Sequence, residues 1–167
     1  DDVITYQEPK SLKVIYESGF AFGDFLNLLS DYDMSTLNDT IKDFHNTPKR
    51  FDNFKKALQD DVANRALNIS DEIEFLLKRE EDCHLIINRI NDNTIPLRVT
   101  HNDTKLNNLL FDKYTDKPIC ILDLDTVMPG SILYDYGDAL RISGSSAAED
   151  EQDLNKVHFV IDNFVAF

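Results

Sequence analysis

Basic residues are scarce in this sequence: 17 Lys and Arg stand against 31 Asp and Glu in 167 residues, a net charge of −14. A surface that negative repels a polyphosphate backbone over most of its area, which removes nucleic acid as a partner. Cysteine occurs only as Cys83, in a charged helical pattern, and Cys120, in an apolar run. The pair has neither a metal-site spacing nor the disulfide framework of a small secreted domain, so a reducing, cytoplasmic setting is expected. No segment approaches the roughly 18 consecutive apolar residues of a membrane helix, and no membrane partner is expected. The start, Asp1-Asp2-Val3, lacks Met, a basic n-region and an apolar h-region. The five glycines are scattered and form no Gly-rich phosphate-binding loop.

What is present suits one packed domain of ordinary size, with 42% hydrophobic and 10% aromatic residues. Phe22, Phe25, Leu26 and Leu29 have helical spacing over 17–30, and Leu37, Ile41 and Phe44 continue it after a polar turn. Pro48 closes that second helix and opens a third with Phe51, Phe54, Leu58, Val62 and Ala66. Ser70 caps a fourth running through Ile73, Leu76, Leu77, His84 and Ile87. From Pro96 the period changes to short apolar runs, 97–99, 109–111 and 119–122, with a polar turn over 112–118. After Pro129-Gly130 the helical pattern returns, and Leu154, Val157, Ile161 and Phe164 line one face of the last segment. The fold class expected is α+β and mostly helical, with a small β-hairpin element between the fourth and fifth helices. With no initiator Met and a helical pattern still running at Phe167, both ends are expected to be cut.

Chemistry concentrates in His101-Asn102-Asp103-Thr104-Lys105-Leu106-Asn107-Asn108 and in Asp123-Leu124-Asp125, at the end of an apolar strand. A loop returning into a strand holds its side chains on a rigid base, so Asp103, Asn108 and Asp123 can face one cavity. In phosphoryl transfer the protein mostly positions reactants and screens charge: one carboxylate takes the acceptor proton, and an amide plus a second carboxylate hold Mg²⁺. Kinase catalytic loops place a Lys two residues after the base Asp and the metal-binding Asn five after it. Asp103, Lys105 and Asn108 reproduce both intervals, and Asp123 completes the metal pair.

The segments 98–108 and 121–130, extended by 134–141 and 149–151, resemble the aminoglycoside phosphotransferase-like kinase family, with lower specificity through 20–45. Within it the details Thr104-Lys105-Leu106-Asn107-Asn108 and Asp125-Thr126-Val127-Met128-Pro129-Gly130 are most similar to N-acetylhexosamine 1-kinases. The resemblance implies that residues 1–167 are the large, C-terminal lobe of a protein-kinase-like fold, the nucleotide-binding lobe and a C-terminal tail lying outside it. It implies ATP as cosubstrate, Mg²⁺ as cofactor and the anomeric hydroxyl of N-acetylglucosamine or N-acetylgalactosamine as acceptor. Asp103 and Lys105 would be catalytic, Asn108 and Asp123 would bind the nucleotide and its metal, and Asp125 is a further candidate ligand. His101 and Asp135 would support the loop from behind. The lobe alone would be inactive.

Structural readings stand beside these. Asp103 can cap a turn. His101 packs and hydrogen-bonds the loop more readily than it acts in chemistry. Asp125 either touches metal or fixes its loop, and one of Asp135 and Asp138 caps the following helix. His45 and His84 lie on helical patterns without a zinc partner at i+4. Cys83 beside acidic neighbours is a poor nucleophile, and the acidic clusters at 71–74, 80–82 and 149–153 read as solvated helix faces and caps.

Three other functions remain open. Another hydroxyl acceptor, such as an aminoglycoside or choline, leaves the phosphotransferase reading intact. A haloacid dehalogenase-type phosphohydrolase would use Asp123 as nucleophile and Asp125 as acid and base, in a doubly wound domain that leaves Asp103 to Asn108 idle. A non-catalytic binding module would keep a degenerate lobe, against which the intact Asp103, Asn108 and Asp123 argue.

Overall fold

The computed structural model describes residues 2–167. In chain order the elements are β1 (Val3–Ile4), α1 (Leu12–Leu28), α2 (Thr47–Asp60), α3 (Ser70–Leu77), α4 (Leu85–Asn91), β2 (Arg98–Thr100), β3 (Leu109–Asp112), β4 (Pro118–Ile121), β5 (Met128–Gly130), α5 (Ile132–Ser143) and α6 (Ile161–Ala166). The fold is mixed, and about half of it, rather than most, is helical. Contacts divide the chain into two compact units, one formed by residues up to Thr40 together with Leu97–Phe167, the other by Ile41–Pro96.

The larger unit holds both sheets. One has the order β1-β3-β4 and the other pairs β2 with β5, and every pairing is antiparallel. A doubly wound phosphohydrolase needs a parallel sheet behind Asp123, so that alternative fails here. The hairpin expected between the fourth and fifth helices is β3–β4, with Leu109 opposite Ile121. Its turn forms where the sequence places it: Asp112 Oδ1 accepts the backbone N–H groups of Tyr114 at 3.1 Å and Thr115 at 2.7 Å, the local bonding that favours short polar side chains at turns. Strand β1, which has no pattern long enough to read, adds Ile4 opposite Phe111.

Helix α1 begins earlier than its apolar spacing suggests, because Ser11 Oγ accepts the Val14 N–H at 3.3 Å and caps it. Its buried face is Val14, Ile15, Ser18 and Phe22. Val14 and Phe22 join Tyr6, Leu106, Leu109, Phe111 and Ile142 in the core cluster, so β3 sends Leu109 and Phe111 inward against α1 and α5. Tyr6 packs at a tilt against Phe111 with ring centroids 5.2 Å apart and donates its hydroxyl to Asp116 at 2.6 Å.

The second helix expected through Leu37, Ile41 and Phe44 does not form. Asp33 takes the Ser35 N–H at 3.0 Å, opening a single 3-10 turn at Met34–Thr36, and Thr40 donates to the Asp125 carbonyl at 2.8 Å. Short polar side chains that bond the backbone favour turns over helix, and the density of Asp, Ser, Thr and Asn there overrides the apolar spacing. The single last helix is likewise replaced. Asp153 caps a 3-10 turn at Leu154–Lys156, Phe159 bridges to Ser145, and α6 follows; Leu154 and Ile161 are exposed rather than on a common buried face. Met128–Gly130 forms strand β5, and helix resumes after it, as the sequence pattern has it, in α5.

In the smaller unit α2 has Asn46 as its cap and Pro48 in its first turn, and it stops at Asp61 instead of reaching Ala66. Asp61 is left-handed (φ 31°), and its carboxylate takes the Arg65 N–H at 2.9 Å. The expected fourth helix is split into α3, a 3-10 turn at Glu81–His84, and α4, and Ser70 is its first residue without making a side-chain cap bond. Phe51 is the only buried side chain among the described residues of this unit. Lys55 lies 2.6 Å from Glu80 and 3.2 Å from Asp52. No helix among the described residues is long and apolar enough to cross a membrane.

With Phe111 fully buried at the centre of the cluster, Phe111→Ala is expected to cost about 3–5 kcal/mol. Chemical denaturation, read as a lower midpoint at unchanged slope, checks this.

Candidate active site

Strand β2 delivers the chain into the loop at Thr100, which is fully buried, and the next two residues set the loop's shape. Asn102 is left-handed (φ 67°), a conformation Asn tolerates better than most residues. Its side chain is spent on the backbone around it: Oδ1 accepts the Thr100 hydroxyl at 3.0 Å, and Nδ2 donates to the carbonyls of Thr100 at 3.2 Å and Thr126 at 3.0 Å. Gly130 on β5 faces this knot. A Cβ there would lie 2.6 Å from Asn102 Oδ1 and closer still to Thr100 Oγ1, so no larger residue fits without moving the loop.

Asp135 braces the same two residues from α5. It is 2% exposed, and its carboxylate accepts the His101 N–H at 2.9 Å and the Asn102 N–H at 2.6 Å. The Thr104 hydroxyl donates to its carbonyl at 2.6 Å. Capping of α5 falls to Ser131, whose hydroxyl accepts the Leu133 N–H at 3.2 Å. Asp135 sits in the helix's first turn, where the dipole favours a carboxylate. Asp138, the other candidate cap, pairs with Arg141 at 2.9 Å instead.

His101 is fully buried, edge-on to Phe22 and Phe25 with ring centroids at 5.7 and 5.9 Å. Its Nδ1 accepts the Asp103 N–H at 3.3 Å, which leaves Nε2 to donate to the Leu122 carbonyl at 3.0 Å. Leu122 in turn donates its N–H to the Asn108 carbonyl at 2.8 Å. The end of β4 is therefore held between the loop's first and last residues, and the residue that follows is Asp123, left-handed at φ 57°.

At the loop's front, Asn108 Nδ2 donates to Asp103 twice, to its carbonyl at 2.8 Å and to Oδ2 at 3.0 Å. Lys105 Nζ lies 3.2 Å from Asp103 Oδ1 and 3.9 Å from Glu149 Oε2. Burial pulls the Lys105 ammonium down, but its hydrogen bond to Asp103 and the charges of Asp103, Glu149 and Asp138 outweigh that and hold it above the usual lysine range. Lys105, Asn107 and Glu149 border a cavity of about 500 Å³.

Asp103, Lys105 and Asn108 are thus in mutual contact, and Asp123 stands one residue beyond the Leu122–Asn108 hydrogen bond. The Asp123 and Asp125 carboxylates are exposed and make no hydrogen bond or ion pair among the described residues; Asp125 meets Thr40 through its carbonyl. Asn108 commits Nδ2 to Asp103, so Oδ1 is its remaining ligating atom. An amide oxygen with two free carboxylates is a donor set suited to a hard, oxygen-seeking cation. No group of three or more His, Cys, Asp or Glu gathers as a metal cluster among the described residues.

Asn102, Thr126, Gly130 and Glu149 lie in the segments that carry the resemblance, but the sequence by itself gives none of them a role of its own. An Asn just ahead of the loop's Asp, and a Gly opposite it in β5, are signals of the first and third. Glu149 falls in the short 149–151 match and in an acidic run that reads as a solvated face, and neither points to its partners.

A polar loop returning into an antiparallel hairpin, braced from a helix behind it, presents a carboxylate, a lysine and an asparagine together. The family model described as the phosphotransferase enzyme family, of the aminoglycoside phosphotransferase type, matches residues 2–162, and the chain belongs to that family of enzymes acting on small molecules.

Asp135→Asn puts an NH₂ group against one of the two backbone donors and leaves an oxygen for the other. It is expected to cost about 1–3 kcal/mol, and faster hydrogen exchange at the His101 and Asn102 amides locates the loss in the loop.

Proposed function

We propose that residues 1–167 are the C-terminal lobe of a protein-kinase-like phosphotransferase. The whole protein uses ATP to phosphorylate a hydroxyl of a small molecule, with the anomeric hydroxyl of an N-acetylhexosamine as the acceptor. The observation that carries this reading is Asp103 held by Asn108 at 3.0 Å and Lys105 at 3.2 Å, the base, amide and cation that in-line transfer requires at one point. The acceptor class rests on the Thr104 to Asn108 and Asp125 to Gly130 details.

In this mechanism Asp103 accepts the proton of the acceptor hydroxyl as its oxygen attacks the γ-phosphorus and the bond to the β-phosphate oxygen breaks. Lys105 lies beside Asp103 and offsets the negative charge of the transferred group. Asn108 orients the Asp103 carboxylate by donating to Oδ2, which leaves Oδ1 shared between Lys105 and the incoming hydroxyl. Asn108 Oδ1 and Asp123, with Asp125 as a third candidate, would hold Mg²⁺. When bound, the ion neutralises phosphate charge that Asp123 and Asp125 would otherwise repel.

In the full-length protein Asp103→Asn is expected to lower kcat by about 10²- to 10⁴-fold with little change in KM. Asp123→Ala should raise the Mg²⁺ concentration needed for activity and the KM for ATP together. Steady-state kinetics with N-acetylhexosamines, free hexoses, choline and aminoglycosides checks both. Turnover of choline or an aminoglycoside, with none of an N-acetylhexosamine, would replace the acceptor and keep the transferase.

A further inference from the structure

Glu149 lies well outside the catalytic loop in sequence, yet its carboxylate touches both that loop and its supporting helix. Oε1 pairs with Arg141 Nη1 at 2.9 Å and Oε2 faces Lys105 Nζ at 3.9 Å. Arg141 is itself held on α5 by Asp138, whose Oδ1 accepts from Nε at 3.3 Å and Nη2 at 2.9 Å. The charges alternate along one line: Asp138, Arg141, Glu149, Lys105, Asp103. An isolated exposed ion pair contributes little, but in a line each side chain already ordered lowers the entropy cost of ordering the next.

The segment that carries Glu149 is closed at its base. Val160 donates its N–H to the Gly144 carbonyl at 2.8 Å, Ser146 donates its N–H to the His158 carbonyl at 3.0 Å, and the Ser146 hydroxyl donates to the Lys156 carbonyl at 2.6 Å. Glu149 is therefore presented by a tied loop rather than a free one.

We propose that Glu149 is a positioning residue, which gives the Lys105 ammonium a second anchor beside Asp103 and so fixes the direction in which that cation points at the loop. Asp103 holds Lys105 Nζ at 3.2 Å and Glu149 holds it from a second side at 3.9 Å, so without Glu149 the ammonium keeps one anchor and can turn about it. Turning about that single contact carries the cation away from the transferred group. Glu149 touches no reacting atom; it acts through Lys105, and Arg141 sets its own place. This rests on the reading of Asp103 as the base.

The test uses the full-length protein with ATP and its acceptor, comparing wild type with Glu149→Gln, Glu149→Asp, Arg141→Ala and the Glu149→Gln/Arg141→Ala double variant. Glu149→Gln should lower kcat by about 10- to 100-fold while both KM values stay within about twofold, as misplacement of a charge at the reacting centre does. Glu149→Asp should recover part of the loss, and the double variant should be no worse than the more impaired single one, because both substitutions break one line. Glu149 is about half exposed, its side chain at 48%, so thermal unfolding should be unchanged. Wild-type kcat in Glu149→Gln, or a loss matched by an equal fall in the folded fraction, overturns the proposal if Asp103→Asn is inactive. Full activity in Asp103→Asn overturns the reading of the base itself.

Discussion

A single buried carboxylate sets the geometry of the larger unit. Both oxygens of Asp135 are taken by the consecutive N–H groups of His101 and Asn102, at 2.9 and 2.6 Å. Burying a charge costs several kcal/mol unless its lone pairs are met, and here two backbone donors and the N-terminal turn of α5 meet them. The arrangement forces consequences on its neighbours. Asn102 turns left-handed, β5 must carry glycine where it passes Asn102, and His101 is driven inward between Phe22 and Phe25. His101 then reaches the Leu122 carbonyl, and that hydrogen bond ties the strand end bearing Asp123 to the loop bearing Asp103. Sites that do chemistry on rigid supports require this kind of chain, from a helix through a buried polar brace to the reacting side chains.

The parts of this arrangement legible in the sequence are those where chemistry or alternation dictates residue type at a fixed interval. Asp103, Lys105 and Asn108 are two and five residues apart because one loop has to bring them together, and the structure brings these three into contact. The β3–β4 hairpin is legible because its turn is polar from Asp112 to Pro118 and its strands are apolar. Asp135 is legible only through resemblance, since an acidic residue in a first helical turn reads equally well as a cap. Glu149 falls in a matched segment, but its contacts are not legible there: its partners Lys105 and Arg141 lie 44 and 8 residues away, and only the fold joins them.

The helical half misleads for a different reason. Apolar spacing over 37–44 and 154–164 satisfies a helical period, but the period carries no account of side chains that compete for the backbone. Asp33, Asp61 and Asp153 each take nearby backbone N–H groups, and each marks a place where helix gives way to a turn. In the smaller unit, where Phe51 is the only buried side chain among the described residues, little tertiary packing is present to override such local preferences.

The claim on which the account turns is transfer of a phosphoryl group to an acceptor hydroxyl with Asp103 as the base. Phosphorus NMR of the products formed by the full-length protein from ATP and an N-acetylhexosamine tests it most directly. The account predicts a sugar phosphate whose phosphorus couples to the anomeric proton, formed in step with ADP and absent with Asp103→Asn. ADP accompanied only by inorganic phosphate, or a sugar phosphate formed at the wild-type rate by Asp103→Asn, would contradict it.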